Sequence, residues 1–398
     1  MQLTFDADVE AFRAEFVAFL DDHLPEITDT SVAIQRPQSS SDIPPWARSW
    51  QRLLFDSGWL VPGNPPEFGG RNATLLQQYV YMEELARRRI YQSFNPQGIG
   101  IIAASLLTFG TPEQKQRWAV RILRAEITAS LGMSEPGAGS DLASLKTRAV
   151  LDSDSGGDHF VVNGQKVWTS GAHHADVILT FVRTDPNAAK HKGISALLIP
   201  TDTPGVVCRP FASVCDRDDV DFNEVFFTDA RVPAENLVGE LHEGWRVATG
   251  SLGHERAMLW MDYADLLHGL SVDFTPTGAV QRDRYATLLM DAQALRLLGS
   301  EALGRAARGD EDVAGQSVLK LLGSEAMQRA AEDALNAEGG DGLVHPGFSA
   351  PFAPLNLDSH YGSWFDRYAR SFAATIAGGT SEIQRNIIAQ RILGLPRG

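Results

Sequence analysis

At Leu131–Asp141 the chain reads LGMSEPGAGSD, and the rest of the sequence is arranged around this segment. The apolar run at 127–133 predicts a short β-strand that ends in a loop of small residues. Gly137 and Gly139 permit a positive φ and a close backbone approach, and Pro136 fixes its own φ. Bare N–H groups in such a loop suit a flat polar or anionic ligand better than a metal. The third glycine of G-x-G-x-x-G is missing, so the loop is not a Rossmann fingerprint, and alone it is best explained as an ordinary glycine-rich turn.

Helical periodicity marks the region before this segment. Across residues 1–126, apolar side chains recur at spacings of three and four, as at Val9, Phe12 and Phe16. Thr111, followed by proline and then by glutamine at the third helical position, indicates a helix N-terminus. The region therefore predicts a helical domain.

The pattern changes at the segment itself. Residues 127–240 contain strand-length apolar runs separated by Gly, Asp, Asn and Pro, which predicts an antiparallel barrel or sandwich. The runs lie at 160–162, 167–169, 177–182, 194–199 and 225–227.

Helical spacing returns near residue 241 and continues to the end of the chain. Gly339-Gly340 predicts one helix stop, and Ser381–Gln384 has the pattern of a capping box. The sequence thus predicts an α+β protein. Its expected parts are an N-terminal helical domain (1–126), a middle antiparallel β-barrel or sandwich domain (127–240) and a C-terminal helical domain (241–398).

Composition excludes several classes of function. The chain has 398 residues, 43% of them hydrophobic, and a formal net charge of −15, which opposes binding to nucleic acid or to an anionic membrane. Two cysteines, Cys208 and Cys215, make neither a disulfide framework nor a zinc pattern, so we expect a reducing, cytoplasmic setting. We find no signal-peptide pattern at the start and no apolar run near the ~18 residues of a membrane helix.

The segment Ser134–Asp141 resembles a signature of the acyl-CoA dehydrogenase family of flavoenzymes. Further segments similar to that family follow the same order along nearly the whole chain. They are Gly58–Leu60 taken with Pro66–Gly70, then Gly110–Lys115, Asn163–Ser170 and Gly378–Arg385. Each alone is a weak signal, but together with Ser134–Asp141 they make five in order, which is specific. The resemblance implies the same helix–sheet–helix architecture, ending in a four-helix bundle, and FAD as cofactor.

By this resemblance FAD lies between the middle domain and the C-terminal bundle. Leu131, Met133 and Ser134 would line the edge of the isoalloxazine ring, and Trp168 and Ser170 would form a second wall. A tryptophan face excludes water, and a hydroxyl near the flavin N5 tunes electron affinity. In isolation, the alternative for Trp168 is a core aromatic residue.

The rest of the cofactor would meet the C-terminal region. Thr380 and Glu382 stand at a helix start and would approach a phosphate or ribityl group, although a carboxylate opposes an anion. The family's adenine motif, Gln-x-x-Gly-Gly, reads Asn336 to Gly340 here, with a shorter amide and an added carboxylate. The family's Arg-x-x-Phe-Gly segment, which holds a neighbour's pyrophosphate, is missing at Asp273–Arg282.

The catalytic base stands at an unusual place. Many relatives have a glutamate before the Gly-Thr of the C-terminal motif, where this chain has Gly378. One subgroup instead carries its base on an earlier helix before an arginine, and Glu255-Arg256 matches that position. A carboxylate there can accept the substrate α-proton. The alternative is a solvated helix glutamate paired with Arg256.

The resemblance also implies a substrate site. The N–H of Gly378 would polarise the thioester carbonyl together with a flavin ribityl hydroxyl, and Gly379 and Arg256 lie in the same motifs. Ser140 would contact the pantetheine arm. The adjacent histidines His173 and His174, like Cys208, are interpreted as surface or packing residues, with no metal implied.

These features predict FAD-dependent α,β-dehydrogenation of an acyl-CoA thioester, with electrons passed to an electron-transfer flavoprotein. Space beside Gly378 predicts a branched, bulky or ring-bearing acyl group. The missing arginine segment predicts an α2β2 assembly with a related subunit, or else a homotetramer in which Arg282, Arg284 or backbone N–H groups hold the pyrophosphate. The alternatives are a non-catalytic structural subunit and a flavin oxidase of the same fold.

Overall fold

A computed structural model describes residues 5–24, 45–88, 90, 92–154, 157–214, 221–310, 314–343 and 364–396. Cys215 lies outside these ranges. The helices are α1 Ala7–His23, α2 Pro45–Asp56, α3 Leu75–Arg88, α4 Ala104–Phe109, α5 Pro112–Gln114, α6 Val120–Leu123, α7 Gly244–Asp273, α8 Ala279–Ala306, α9 Gly315–Ala337, α10 Trp364–Ile376 and α11 Ser381–Ile387. π-Helical turns occupy Gly98–Ala103, Lys115–Ala119 and Ile388–Ile392.

The strands lie between the two groups of helices. They are β1 Ala129–Gly132, β2 Arg148–Asp154, β3 Gly157–Lys166, β4 Val177–Arg183, β5 Ile194–Pro200, β6 Val206–Phe211, β7 Phe222–Pro233 and β8 Leu237–Val238. The predicted order of helices, then strands, then helices is confirmed.

Internal contacts divide the chain into two compact units. The first, which we call the helical unit, comprises Met1–Gln35, Val61–Tyr91 and Arg256–Gly398. The second, the sheet unit, comprises Arg36–Leu60 and Gln92–Glu255. The three domain boundaries expected from periodicity remain a prediction.

The sheet unit is built on one eight-stranded sheet. The described strands follow the order β6-β7-β3-β2-β4-β5-β8, and β1 pairs with β4. The β1–β4 and β2–β4 pairings are parallel, so the expected antiparallel barrel or sandwich is corrected to a mixed sheet with an open strand order. Parallel neighbours require a crossover connection, and alternation within a strand does not report such a connection.

One predicted strand is absent from the described sheet. The expected strand at 167–169 does not form, because β3 ends at Lys166 and Trp168 has a φ of +61°. A positive φ takes the chain out of the extended region that a strand needs. Strands β2 and β6 were not predicted. Both carry apolar residues on their exposed face, such as Val150 in β2 and Val207 in β6, so apolar and polar residues do not alternate clearly along them.

In the helical unit, α7 to α10 share one apolar core, as the resemblance implied. Leu267, Leu295 and Leu319 lie in it, and Trp364 packs against it. The helices approach closely where glycine replaces a side chain. A Cβ on Gly299 of α8 would lie 2.2 Å from the Trp260 ring of α7.

The helix ends follow the sequence signals with one correction. Thr111 makes the expected capping box with Gln114, and Gly339 is left-handed (φ +61°) beyond the end of α9. The N-cap of α11 is Thr380 rather than Ser381, because the Thr380 hydroxyl accepts the Ile383 N–H at 3.2 Å. Among the described helices, none combines the length and apolar character needed to cross a membrane.

Candidate active site

The glycine-rich loop begins where β1 ends. Glu135 and Ala138 close a tight turn through two backbone hydrogen bonds, of 2.9 and 3.0 Å. Neither Gly137 nor Gly139 adopts the positive φ that glycine would allow, and a Cβ on either would meet no atom of the described residues within 4 Å. The glycines therefore keep the loop surface clear of side chains and are not needed for an unusual backbone.

Two hydrogen bonds place this loop beside the segment that follows β3. The Val167 N–H donates to the Ser134 carbonyl at 2.9 Å. The Ser130 hydroxyl donates to the Ser170 carbonyl at 2.8 Å. The structure thus brings together the two segments in which the sequence predicted a flavin wall.

Trp168 is the most unusual residue of that wall. Its side chain is 58% exposed, and its ring meets Phe211 and Phe222 edge-on at 5.2 and 5.4 Å. An exposed indole contradicts the alternative of a core aromatic residue. A bulky residue at a φ of +61° is strained, and such strain is concentrated at ligand sites.

Asn223 holds the strained segment, a role that no motif in the sequence indicated. Its carbonyl accepts the Thr169 N–H and its side-chain amide donates to the Thr169 carbonyl, both at 3.2 Å. The Gly171 N–H donates to the Asp221 carbonyl at 2.7 Å. Asn223 is fully buried and lies 54 residues from Thr169 along the chain, a separation that no local motif spans.

A buried ion pair supports the loop from behind. The Lys166 ammonium, with no exposed surface, donates to the Glu135 carboxylate at 2.9 Å and to the Met133 carbonyl at 3.1 Å. The other donors to the carboxylate are the backbone N–H groups of Lys146 (2.6 Å) and Thr147 (2.8 Å). Both charged residues belong to the quoted motifs, but their pairing could not be inferred from their positions.

The surroundings of the pair shift both pKa values. Burial lowers the pKa of Lys166 to about 8, although the attraction of Glu135 opposes that change. Burial alone would raise the pKa of Glu135, but the charge and hydrogen bond of Lys166, with the Thr147 and Lys146 donors, lower it overall. Both groups are therefore mainly charged at neutral pH.

The wall has the donors and the apolar face that a flavin ring requires. The half-buried hydroxyls of Ser134 and Ser170 have no hydrogen-bond partner within the described ranges of the chain. Leu131 and Met133 are half-buried beside them. An exposed indole and two unsatisfied hydroxyls beside a side-chain-free loop fit a flat ligand with polar edges.

The far end of the loop is open to solvent. Ser140 is exposed, and its neighbour Asp141 pairs with Lys190 at 2.8 Å. Hydrogen bonds from Lys190 and Ser144 lower the pKa of Asp141. Ser140 is accessible to a substrate arm, and its contact with pantetheine remains a prediction.

The remaining candidates of the sheet unit fit packing roles. The His173 ring lies 3.0 Å from the Asn223 amide, and burial lowers its pKa. Burial raises the pKa of the Cys208 thiol to about 11, which keeps it in the unreactive thiol form. No group of three or more metal-ligating side chains occurs among the described residues.

The helical unit carries the Gly-Gly-Thr turn. Gly378 and Gly379 have φ values of +66° and +98°. A Cβ on Gly379 would lie 2.7 Å from the Gln384 amide nitrogen, whereas one on Gly378 would meet no atom of the described residues within 4 Å. As far as the described residues go, the position beside Gly378 is therefore open, as the sequence predicted.

Two buried polar side chains fix this turn, and neither was predicted. The Gln384 amide donates to the carbonyls of Gly378 and Gly379, each at 3.2 Å. The Lys320 ammonium, from α9, donates to the Gly379 carbonyl at 2.8 Å. Since the carbonyls are held, the direction of the adjoining N–H groups is fixed as well.

A pocket of about 460 Å³ opens at the start of α11. Thr380, Ser381 and Glu382 line it, with Arg329 and Arg385. Arg385 pairs with Glu382 at 2.8 Å and with Glu325, which also lines the pocket, at 2.6 Å, so its one positive charge is shared between two carboxylates. The Ser381 hydroxyl is buried without a partner in the described structure, so a polar ligand group could satisfy it.

Other candidates receive less support from the structure. Asn336 and Gly340 are exposed near the end of α9. Arg284 is paired with Asp333 at 2.8 Å, whereas Arg282 is exposed and has no partner among the described residues.

The predicted base cannot be placed. Glu255 and Arg256 lie in α7, but the side chains of 251–259 are outside the described part of the structure.

Comparison with known proteins identifies the family. Three family descriptions match: Acyl-CoA dehydrogenase, N-terminal domain (6–126), middle domain (130–230) and C-terminal domain (277–393). The chain is 36% identical over 396 residues to acyl-CoA dehydrogenase IpdE1 of Mycobacterium tuberculosis, covering 98% of both chains.

Similar solved structures support the same family. The steroid ACAD Tcur3481-Tcur3483 gives a TM-score of 0.77 at 29% identity, and the ChsE4-ChsE5 complex of Mycobacterium tuberculosis gives 0.73 at 27% identity. Both matches cover 100% of this chain and of the other. The chain thus belongs to the acyl-CoA dehydrogenase family, whose members are FAD-dependent oxidoreductases of lipid degradation.

Proposed function

We propose that the protein oxidises an acyl-CoA thioester to the 2-enoyl-CoA, with FAD against the wall formed by Leu131, Met133, Ser134, Trp168 and Ser170. The exposed, strained Trp168 beside two unsatisfied serine hydroxyls carries this proposal. When bound, FAD supplies the acceptor for the hydride that leaves the substrate β-carbon.

The chain's own residues would prepare the substrate for that transfer. A carboxylate oxygen of Glu255 accepts the α-proton, since a carboxylate is charged before the reaction and neutral after it. The Gly378 N–H donates to the thioester oxygen and stabilises negative charge there as the proton leaves. The Trp168 indole would lie against the flavin ring and exclude water from it.

Substitution of Glu255 tests the base. Glu255→Gln should lower turnover by about 10² to 10⁴ while the protein retains its flavin. Glu301→Gln is the matched control, because it makes the same change at an exposed position of helix α8. Unchanged turnover in Glu255→Gln would remove the assignment and favour a structural subunit.

The acyl group is proposed to be branched, bulky or ring-bearing. The open space at Gly378 supports this, as does the similarity to a protein named a steroid ACAD. Anaerobic bleaching of the flavin by short, branched, long and steroid-like acyl-CoAs is the direct test. A clear preference for straight medium chains, by kcat/KM, would contradict it.

We propose an electron-transfer flavoprotein as the electron acceptor. A flavin oxidase of the same fold is the competing function. Steady-state turnover with and without an added acceptor separates the two, because an oxidase forms peroxide from oxygen alone. Stoichiometric peroxide at full rate would overturn the dehydrogenase proposal.

The assembly is proposed to be α2β2 with a related subunit that supplies the missing pyrophosphate arginine. Buried phosphates need cationic or bidentate donors, and Asp273–Arg282 lacks the family's arginine segment. The similar ChsE4-ChsE5 structure is a complex of two named proteins. The chain expressed alone should bind FAD substoichiometrically, and co-expression with the related subunit should restore it.

A further inference from the structure

We propose that the buried Lys166–Glu135 pair aims and polarises the Met133–Ser134 peptide group, making the Ser134 N–H a strong hydrogen-bond donor to the reduced flavin. This inference rests on the proposed placement of FAD against Ser134. Lys166 does not touch the flavin in this arrangement and acts as a positioning residue.

The geometry of a single peptide group gives the direction. In a trans peptide, the C=O and the following N–H point in opposite directions. The Lys166 ammonium holds the Met133 C=O at 3.1 Å, so the Ser134 N–H points away from the buried ammonium. The Ser134 C=O is held in turn by the Val167 N–H at 2.9 Å. With both flanking carbonyls fixed, the donor has little freedom to turn.

Stability alone does not account for a charge in this position. Replacing a buried ion pair by apolar residues is often neutral or stabilising, because desolvation of two charges opposes their attraction. Here, however, three donors satisfy the Glu135 carboxylate and Lys166 reaches beyond it to a backbone carbonyl. The pair is therefore arranged around the loop's backbone.

The buried ammonium also changes the strength of the Ser134 N–H as a hydrogen-bond donor, because electrostatic effects are stronger in the low dielectric of the protein interior. A charged donor makes a hydrogen bond about twice as strong as a neutral one, and hydrogen bonds in series polarise one another. The ammonium on the Met133 oxygen thereby makes the Ser134 N–H more positive. Reduction adds negative charge to the flavin, so this donor favours the reduced form. Loss of the pair should shift the flavin reduction potential to a more negative value.

The test compares three variants with the wild-type holoenzyme. Lys166→Met removes the ammonium but leaves the Glu135 carboxylate buried. The double variant Lys166→Met/Glu135→Gln removes both charges and keeps an oxygen for the Lys146 and Thr147 N–H donors. Lys192→Met removes one exposed lysine charge from the same unit and is the control. The measurements are flavin reduction potential, FAD dissociation constant and thermal stability.

The double variant is expected to fold, to bind FAD more weakly and to have a more negative potential, while Lys192→Met matches wild type. A folded, FAD-loaded double variant with the wild-type potential would overturn the inference. Failure of wild-type protein to bind FAD, with or without a related subunit, would instead overturn the proposed function.

Wild-type protein provides a second measurement that needs no variant to fold. Among the described residues, Glu135 is the charged group that interacts electrostatically with Lys166. Deprotonation of Lys166 at high pH therefore removes the ammonium charge without changing any other side chain of the site. The flavin potential should fall with an additional inflection as pH rises through the Lys166 titration. A featureless dependence on pH in that region would count against the proposal.

Discussion

Removal of one charge from the buried pair should destabilise the protein more than removal of both. Lys166→Met leaves the Glu135 carboxylate buried without its counter-charge, which typically costs about 3–5 kcal/mol. The double variant Lys166→Met/Glu135→Gln should recover most of that loss. Chemical denaturation of the two variants measures the difference. Equal stabilities would mean that the carboxylate is satisfied by the Lys146 and Thr147 N–H groups alone.

The same residues predict how this difference depends on pH. The pKa of Glu135 is lowered from 4.5, so its stabilising contribution is present above pH 4.5 and is lost as pH falls through its folded value. The pKa of Lys166 is lowered from 10.5 to about 8, so the unfolded chain binds more protons between those values. Stability of wild type relative to the double variant should therefore rise with pH in both windows and stay flat between them.

Single residues also show how far a sequence can be taken. Ser134, Trp168 and Ser170 were predicted from motifs to line one wall, and the structure brings their two segments together; their contact with FAD remains a prediction. Lys166 and Asn223, which hold that wall, could not be identified. Their partners lie 31 and 54 residues away, and only the folded sheet brings those pairs together.

At the scale of elements, the start of α11 gives a sharp test. Thr380→Ala should destabilise the protein by about 1 kcal/mol, because its hydroxyl caps the Ile383 N–H. Ser381→Ala removes the same kind of hydroxyl from the next position, where it has no partner in the described structure. The second change should be close to neutral. Thermal melting of both variants tests which residue caps the helix. A larger fall in melting temperature for Ser381→Ala than for Thr380→Ala would favour Ser381, the N-cap predicted from the sequence.

The turn before α11 makes a second prediction. Both glycines are left-handed, which costs any other residue about 1–2 kcal/mol. Gly379→Ala should cost more than Gly378→Ala, since only its Cβ would press on Gln384. Gly378→Ala should instead raise KM for bulky acyl-CoAs more than for small ones. Urea denaturation compares the stabilities of the two variants, and steady-state kinetics measures the change in KM for Gly378→Ala. An equal rise in KM for small and bulky substrates would argue against an acyl-binding space beside Gly378.

The arrangement of elements was only partly accessible from periodicity. Strands β4 and β5 are buried along nearly their whole length and were predicted from their apolar runs. Their neighbours were not predictable, because β1 reaches β4 in parallel after a helical region. Periodicity reports which side of a strand is buried, but it does not report which strand lies next to it.

At the scale of the whole molecule, the helical unit has an apolar surface on α8 that its described residues leave exposed. Met290 and Leu297 lie seven residues apart on one face of the helix, and their side chains are 68% and 49% exposed. Exposed apolar patches of this kind mark interfaces with other proteins. Arg282, free of partners among the described residues, lies at the start of the same helix. A subunit covering α8 would therefore be close to an available cation.

Met290→Asp should separate the subunits without unfolding the protomer, because the side chain is exposed before assembly and a carboxylate cannot be buried there unpaired. Val150→Asp, at a 56% exposed position of β2, is the matched control for the same kind of change in the sheet unit. Light scattering gives the native mass, and circular dichroism reports the fold. In the α2β2 arrangement, Met290→Asp should also release FAD, whereas in an independent protomer it would leave FAD bound. A native mass equal to wild type would show that α8 is not the contact surface.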